Sequence, residues 1–391
     1  MYRDPADIVA QWDGVTDRVG LEWSASGEWW QTLAATGKSL VITREYEHFV
    51  LHVSALPTPR LSYVRLPHPS GVAYSRARGR LYIASTRNPN QLYEFGPVAP
   101  DVARRDTKVR PGADVVLVPE RTWYLPGATY IHDIAFIGDS LHANAVGENC
   151  VIGLDGGRAT RVWWPRSVEK DGALIADRNV IQLNSIAAGP SLEASYFTAS
   201  SDRPGRYRPG DAKYPVDRRG VLFSAATRDV AARGLTRPHS ARFWKDIVLV
   251  CNSGYGELVA CRGASVDVVA KLPGWTRGLG IVGDIAFVGT SRVIPRFAQY
   301  APGLSVETAV CGVSAVDLRT GRTLGTLSFP NGNQIFAVEA IPQSLATGFP
   351  FDTAARNLDA ERRLFYAYHR VAGDAEPSEG IQESPRELRG R

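Results

Sequence analysis

Six times along this chain of 391 residues, a loop ends in a polar residue and runs straight into a short apolar strand. The six are His68-Pro-Ser-Gly-Val-Ala, His132-Asp-Ile-Ala, Asn184-Ser-Ile-Ala, His239-Ser-Ala-Arg, Arg277-Gly-Leu-Gly and Gln334-Ile-Phe-Ala. Such recurrence means one supersecondary unit used repeatedly, and units that cannot bury their own faces must stack or close on one another. Closure into a ring would bring these six polar side chains around one axis.

The runs that follow are β-branched or aromatic, four to seven residues long, and bounded by Gly, Pro, Asn and Asp, which is the signature of strands. Second strands are expected at residues 81–86, 141–146, 195–200, 247–253 and 285–291, and third strands at 91–95, 150–154, 220–224, 257–261 and 312–318. Fourth strands are clearest at 160–164, 266–272 and 323–329. Four-stranded antiparallel units repeated radially describe a β-propeller. Five units are complete; the sixth supplies only residues 335–341 before the composition turns polar. Its missing strands are expected at the other end of the chain. Residues 29–38 read as a second strand and turn, 39–44 as a third, and 48–53 with 61–65 complete the blade. The expectation is an all-β fold, a six-bladed β-propeller closed by N- and C-terminal strands sharing one blade, which removes exposed edges. Residues 1–27 then form an N-terminal arm with a short helix near residues 5–12. The propeller spans 28–351, and 352–391 form a polar tail with a helix over 353–369 before disorder.

Composition narrows the class of partner. Apolar residues make up 44% and charged residues 22%, as in an ordinary globular protein. No apolar run exceeds strand length, so no membrane-spanning helix is expected. The N-terminus lacks a basic region followed by an apolar core, which argues against a secretory signal and for a cytoplasmic protein. The four cysteines, Cys150, Cys251, Cys261 and Cys311, lie far apart with no C-x-x-C pair, and read as small core residues. The net charge is +5, and all but six of the 45 basic residues are arginine, scattered among acids. Nucleic acid calls for a basic stripe, and none is present.

Two long insertions, residues 201–219 and 292–308, fall between second and third strands. In an up-and-down meander these connections share a rim with the starts of the innermost strands, so they overhang the six polar residues. The other rim has tight turns. Long loops in a compact domain are usually functional or disordered; Tyr207, Tyr214, Phe297 and Tyr300 favour the former, and a ligand pocket is expected at that mouth.

The candidate catalytic residues are His132, Asp133, His239 and Arg277. Either imidazole could act as acid or base, or as a metal ligand, and the guanidinium suits a carboxylate or phosphate. His68, Asn144, Asn184, Asn252, Glu257, Arg292 and Gln334 are candidate ligand-binding residues. His132, Asp133, Asn184 and His239 have the character of a divalent-metal site for Ca, Mn, Fe or Zn. The competing reading is structural: a loop histidine or asparagine can simply tie adjacent blades by hydrogen bonds. No nucleophile elbow, Walker A, dinucleotide fingerprint or H-E-x-x-H motif occurs.

The strings from Arg237-Pro-His-Ser-Ala-Arg to Cys251-Asn-Ser-Gly-Tyr-Gly-Glu-Leu, Leu272-Pro-Gly-Trp-Thr-Arg-Gly-Leu, Asp284-Ile-Ala-Phe-Val-Gly-Thr-Ser and Cys311-Gly-Val-Ser-Ala-Val-Asp-Leu-Arg-Thr-Gly resemble a conserved hypothetical bacterial family catalogued as a domain of unknown function. The resemblance runs from about residue 20 to 345. Its members read H-D-L-A at His132-Asp-Ile-Ala and L-N-G-L-A at Leu183-Asn-Ser-Ile-Ala. They carry E-I-F-D-V where Gln334-Ile-Phe-Ala-Val here lacks both acids. More distantly, the architecture is similar to gluconolactonase-like and strictosidine-synthase-like propellers, whose pockets open at one end of the channel. Two function classes follow. One is a small-molecule enzyme of a biosynthetic or carbohydrate-related pathway, with lyase, isomerase or hydrolase-type chemistry. The other is a binding or scaffold propeller for a glycan, peptide or partner protein.

Overall fold

A computed structural model describes residues 18–87, 90–99 and 115–353. The helices expected near residues 5–12 and 353–369, and the polar tail, lie outside the described residues.

Six antiparallel sheets form the blades. Their innermost strands, in ring order, are Pro69–Ser75, Ile131–Ile137, Leu183–Ala187, Pro238–Trp244, Trp275–Val282 and Ala337–Pro342. Each packs against the innermost strand of the next blade, and Ala337–Pro342 packs against Pro69–Ser75, so the ring closes. The sixth blade joins both chain ends. Ala337–Pro342 pairs with Lys38–Arg44, with Val338 opposite Ile42 and Glu339 opposite Val41. Phe49–Ser54 and Arg60–Arg65 follow outward, and a short strand, Phe351–Asp352, finishes the edge.

One segment of this closing blade departs from the sequence expectation. Residues Trp29–Ala35 form an α-helix, not a second strand, and Lys38–Arg44 takes the second-strand place assigned above to the helical segment. The reason is periodicity. Trp29, Thr32 and Leu33 fall at i, i+3 and i+4 and are the buried residues of the helix. The two tryptophans suggested β propensity, which tertiary context overrides. Trp29 stacks edge-on against Phe287 of the fifth blade at 5.4 Å. Ahead of the helix, Ser24–Gly27 adds a fifth strand to that blade.

The blades are held by apolar packing between neighbouring sheets. Trp163, for example, lies 4.3 Å from Phe197 across the seam of the second and third blades, and its indole N–H donates to the Ala225 carbonyl. Both insertions fall between second and third strands, in the third and fifth blades. They meet over the fourth: Tyr300 packs with Tyr214 and Val216, and its hydroxyl donates to the Gly210 carbonyl at 3.2 Å. The opposite rim carries tighter turns except in the first blade, where residues 99–115 separate Asn90–Val98 from Val116–Leu125, and in the third, where residues 188–195 separate Leu183–Ala187 from Tyr196–Ala199.

Trp29 is fully buried, so Trp29→Ala should lower stability by about 3–5 kcal/mol. A urea midpoint within error of wild type would show that the helix is dispensable to the closing blade.

Candidate functional site

The channel mouth is built from irregularities in the innermost strands. Five of the six lose register with their neighbour near the mouth: between Pro69 and Val72, Ile131 and Ile134, Leu183 and Ser185, His239 and Arg242, and Thr276 and Leu279. The residues in these bulges include Ser70, His132, Asp133, Asn184, Ser240 and Arg277. A bulge releases a residue from strict in-out alternation and re-aims its side chain. Here it takes polar groups out of the apolar seams and turns them toward the axis. Gly278, beside Arg277 at φ +85, lets the bulge lie against the sixth blade, since a Cβ there would sit 3.0 Å from the Val338 backbone nitrogen.

Register also corrects the repeat. Ser70, not His68, is the counterpart of His132. His68 precedes its strand with a left-handed backbone (φ 45°), as do Tyr130, Gln182 and Arg237 (φ 50°, 52° and 52°). Tyr130, Gln182 and Arg237 line the mouth cavity, whose volume is about 220 Å³. None of these residue types announces a left-handed turn as Gly or Asn would, so only the position immediately ahead of each strand could have revealed them. Glu45, Thr86, Arg87, Trp275 and Phe336 also line the cavity and were missed.

His132 and His239 share one tautomer. Asn184 donates its amide N–H to the Pro238 carbonyl at 3.0 Å, which leaves its Oδ1 to accept from His132 Nδ1 at 2.7 Å. His239 Nδ1 donates to the Arg237 carbonyl at 2.8 Å, with Ser253 Oγ at 2.9 Å. Ser253 in turn donates to the Thr276 carbonyl at 2.6 Å. Each ring is therefore fixed through Nδ1–H and keeps its Nε2 lone pair free. Neither Nε2 has a hydrogen-bond partner among the described residues, and neither is an orphaned buried atom; both remain open to the cavity. Burial, and then the Arg277 guanidinium, lower the His132 pKa to about 3 and hold His239 well below the ordinary imidazole range.

Arg277 supplies the charge. It is 8% exposed and lies over the Phe336 ring at 3.2 Å from the centroid. No carboxylate pairs with it among the described residues, and its Nη2 is buried without a hydrogen bond. Burial lowers its pKa to about 10, so it stays cationic at neutral pH. Gln334 Oε1 is likewise buried and unpaired. Among the described residues Glu45 is the only carboxylate lining the cavity, and it is engaged by Arg87 at 2.5 Å. Arg292 also lines the cavity, but donates to the carbonyls of Gly332 and Pro330.

The remaining candidates are occupied elsewhere. Asp133 binds Arg242 through both oxygens, at 2.8 and 3.1 Å, and accepts the Ile186 backbone N–H at 3.0 Å. Asn144 is fully buried between the Asp133 N–H and the Leu183 carbonyl. Asn252 accepts from the Thr236 N–H and donates to Glu257, which also faces Lys271. His68 lies behind Glu45, at 3.6 Å. Asp133, Asn144, Asn252 and Glu257 thus hold strands and blades together and do not line the mouth cavity.

The candidate metal set can be placed in the same way. His132, Asp133, Asn184 and His239 are neighbours lining a narrow continuation of the channel. The Asp133 oxygens, however, are taken by Arg242, and the Asn184 oxygen receives the His132 proton. Among the described residues no group of three His, Cys, Asp or Glu side chains is placed to hold a metal. All four cysteines are buried, and burial raises each thiol to about 12. Among the described residues no helix is long and apolar enough to cross a membrane.

Residues 27–348 match the family described as Domain of unknown function (DUF4915). The chain belongs to that family. None of the curated proteins matches it. Among solved structures, a chain of the nidogen/laminin complex is 9% identical with a TM-score of 0.49, over 78% of this chain and 99% of that one. A putative gluconolactonase is 14% identical with a TM-score of 0.43, over 69% and 80%. A gluconolactonase from Xanthomonas campestris gives 14% and 0.43, over 75% and 86%. Likeness at this level carries no argument about activity, so function in this DUF4915 chain has to be argued from the mouth itself.

The neutral histidines of the DUF4915 chain have a consequence for stability. His52, also buried, is lowered to about 3 by burial and then by Arg60. Folded, these rings stay neutral where the unfolded chain protonates near pH 6.5, so stability is lost as pH falls below that value, down to about 3 for His52 and His132. Each contributes a slope of about 1.4 kcal/mol per pH unit. Glu339, raised by burial to about 7, acts in the opposite sense between about pH 4.5 and 7, one group against three. Urea midpoints should fall between pH 7 and 5, and His132→Gln should flatten the decline. An unchanged slope in that variant would mean His132 protonates freely in the folded protein.

Proposed function

We propose that the mouth is the active site of an enzyme that moves a proton on a small, hydroxylated organic anion, with lyase or isomerase chemistry in a biosynthetic or carbohydrate-related pathway. The observation that carries this reading is the buried, unpaired Arg277 beside two imidazoles whose Nε2 lone pairs are free. A buried cation without a partner is costly, and a carboxylate or phosphate arriving in the cavity would supply one. Thr86, Gln182, Asn333 and Gln334 give the lining neutral polar groups suited to hydroxyls. The volume of about 220 Å³ is below the roughly 300–1,000 Å³ of drug-sized sites, so the ligand is small.

In the free protein the imidazoles are weak bases, because burial and Arg277 disfavour their charged form. A bound anion offsets the guanidinium charge and restores basicity to the neighbouring ring. The base is thus strongest in the complex, the state in which it is used. The proton of a C–H bond next to the bound carboxylate passes to Nε2, and the electron pair moves toward the oxygen facing Arg277, where developing charge is stabilised. Protonation of the other face by water, with the imidazolium returning its proton to the hydroxide so formed, epimerises the substrate. Alternatively, the electron pair forms a carbon–carbon double bond and a β-hydroxyl leaves, taking the same proton as water.

The test is hydrogen exchange into a panel of hydroxylated carboxylates and sugar acids in deuterium oxide, read by mass spectrometry. At least one compound should gain deuterium. His132→Gln or His239→Gln should slow the gain by about 10²–10⁴-fold, the usual range for a general base. Arg277→Met should abolish saturation. Binding without exchange across the panel would favour the recognition-propeller reading instead.

A further inference from the structure

Arg277 has a counterpart that the proton-transfer reading does not use. Arg237 stands immediately before Pro238–Trp244, held in the left-handed region at φ 52° so that its side chain turns into the mouth. Like Arg277 it is 8% exposed, and like Arg277 it lies over an aromatic ring, here Tyr300 of the 292–308 insertion, at 4.3 Å. Its Nη1 donates to Gln182 Oε1 at 2.6 Å, a neutral acceptor, while its Nε is buried with no partner. Among the described residues no carboxylate pairs with either guanidinium. The one acid of the cavity, Glu45, is engaged by Arg87.

Among the described residues the lining therefore holds two buried cations without an ion-pair partner, contributed by the fourth and fifth blades, each backed by an aromatic ring. A monoanion on Arg277 would leave Arg237 desolvated and unpaired, at the cost that attaches to any buried charge without a partner. Each guanidinium also presents several N–H donors in a plane, a geometry matched to carboxylate or phosphate oxygens. Among the described residues nothing else on the cavity wall supplies a second negative charge.

We propose that Arg237 is a second anion-binding residue and that the ligand of this mouth is a small organic dianion, its two negative charges divided between Arg277 and Arg237. This rests on the reading of the mouth as a site for a small organic anion, and deepens it by fixing the charge of the ligand. Arg277 then holds the anionic group next to the reacting carbon, and Arg237 positions the far end of the molecule. The dianion is either a dicarboxylate or a phosphorylated compound.

The experiment is titration calorimetry of the full chain at constant ionic strength. The probes are succinate, glutarate and tartrate against acetate, propionate and lactate, with inorganic phosphate and glycerol 3-phosphate as the second source of two charges. At least one dianion should bind about tenfold or more tightly than the matched monoanions, the worth of one additional charge-assisted contact. Arg237→Met should erase that preference while leaving monoanion binding intact. Arg277→Met should remove both. Melting of the ligand-free variants guards against misfolding: each replaces a buried unpaired cation, so neither should melt below wild type, and Arg237→Lys should keep a partial preference.

If monoanions bind as well as dianions and Arg237→Met changes nothing, the dianion inference is overturned while the anion site at Arg277 stands. If no anion binds, or if binding survives Arg277→Met, both readings fall together. Preference for the phosphates over the dicarboxylates assigns the phosphorylated source, and the reverse order assigns the dicarboxylate.

Discussion

The whole mouth depends on one ladder of backbone hydrogen bonds, that between Ala337–Pro342 and Lys38–Arg44. It joins residues nearly three hundred positions apart, and it converts a row of five sheets into a ring. Only in a ring do His132, His239 and Arg277, from three different blades, face one another across a cavity. The ladder is reinforced at the mouth by side chains: Thr43 Oγ1 accepts the Ala337 backbone N–H and donates to the Ser70 carbonyl of the first blade. Thr43 thus ties the closing strand to the first blade. A contact of such sequence separation carries a loop-closure cost that grows slowly with length. It is met by the apolar seams that closure creates around Ile42, Val338 and Phe287.

The architecture was legible because its signal is repeated. Strand runs bounded by turn residues recur often enough that errors in one blade do not disturb the count. The donated closing blade could be read from the shortage of strands at one end and the surplus at the other. The reading failed where the signal is single. Trp29–Ala35 has aromatic residues that suggest a strand, and its helical period is visible only over seven residues. Likewise the left-handed residue that precedes four of the innermost strands has no fixed residue type to mark it, which is why Arg237 and Gln182 went unassigned while the neighbouring histidines drew notice.

Polar residue type alone also could not separate site from scaffold. Asn144 and Asn184 both occupy the mouth end of their strands, yet Asn144 is consumed between two backbone groups while Asn184 orients a cavity histidine. Asp133 and His132 are adjacent in sequence and diverge for the same reason. One side chain faces Arg242 inside the channel and the other faces the cavity. What decides between these fates is the direction imposed by a bulge, a property of register between strands and not of the residue itself.

The charge of the cavity bears on why the scaffold is built as it is. Arg242 is neutralised bidentately by Asp133 a short way along the channel, which shows that this fold pairs buried cations where their role is structural. Arg237 and Arg277 sit in the same ring of blades without such pairing, each leaning on an aromatic face instead. A cation–aromatic contact offsets part of the desolvation cost of a guanidinium but leaves its N–H donors unsatisfied. A protein selected for stability alone would be better served by apolar side chains at these two positions. Unpaired among the described residues, these two guanidiniums are the groups on which the proposed anion would rest, and the two insertions that converge over the fourth blade carry Tyr300 to Arg237.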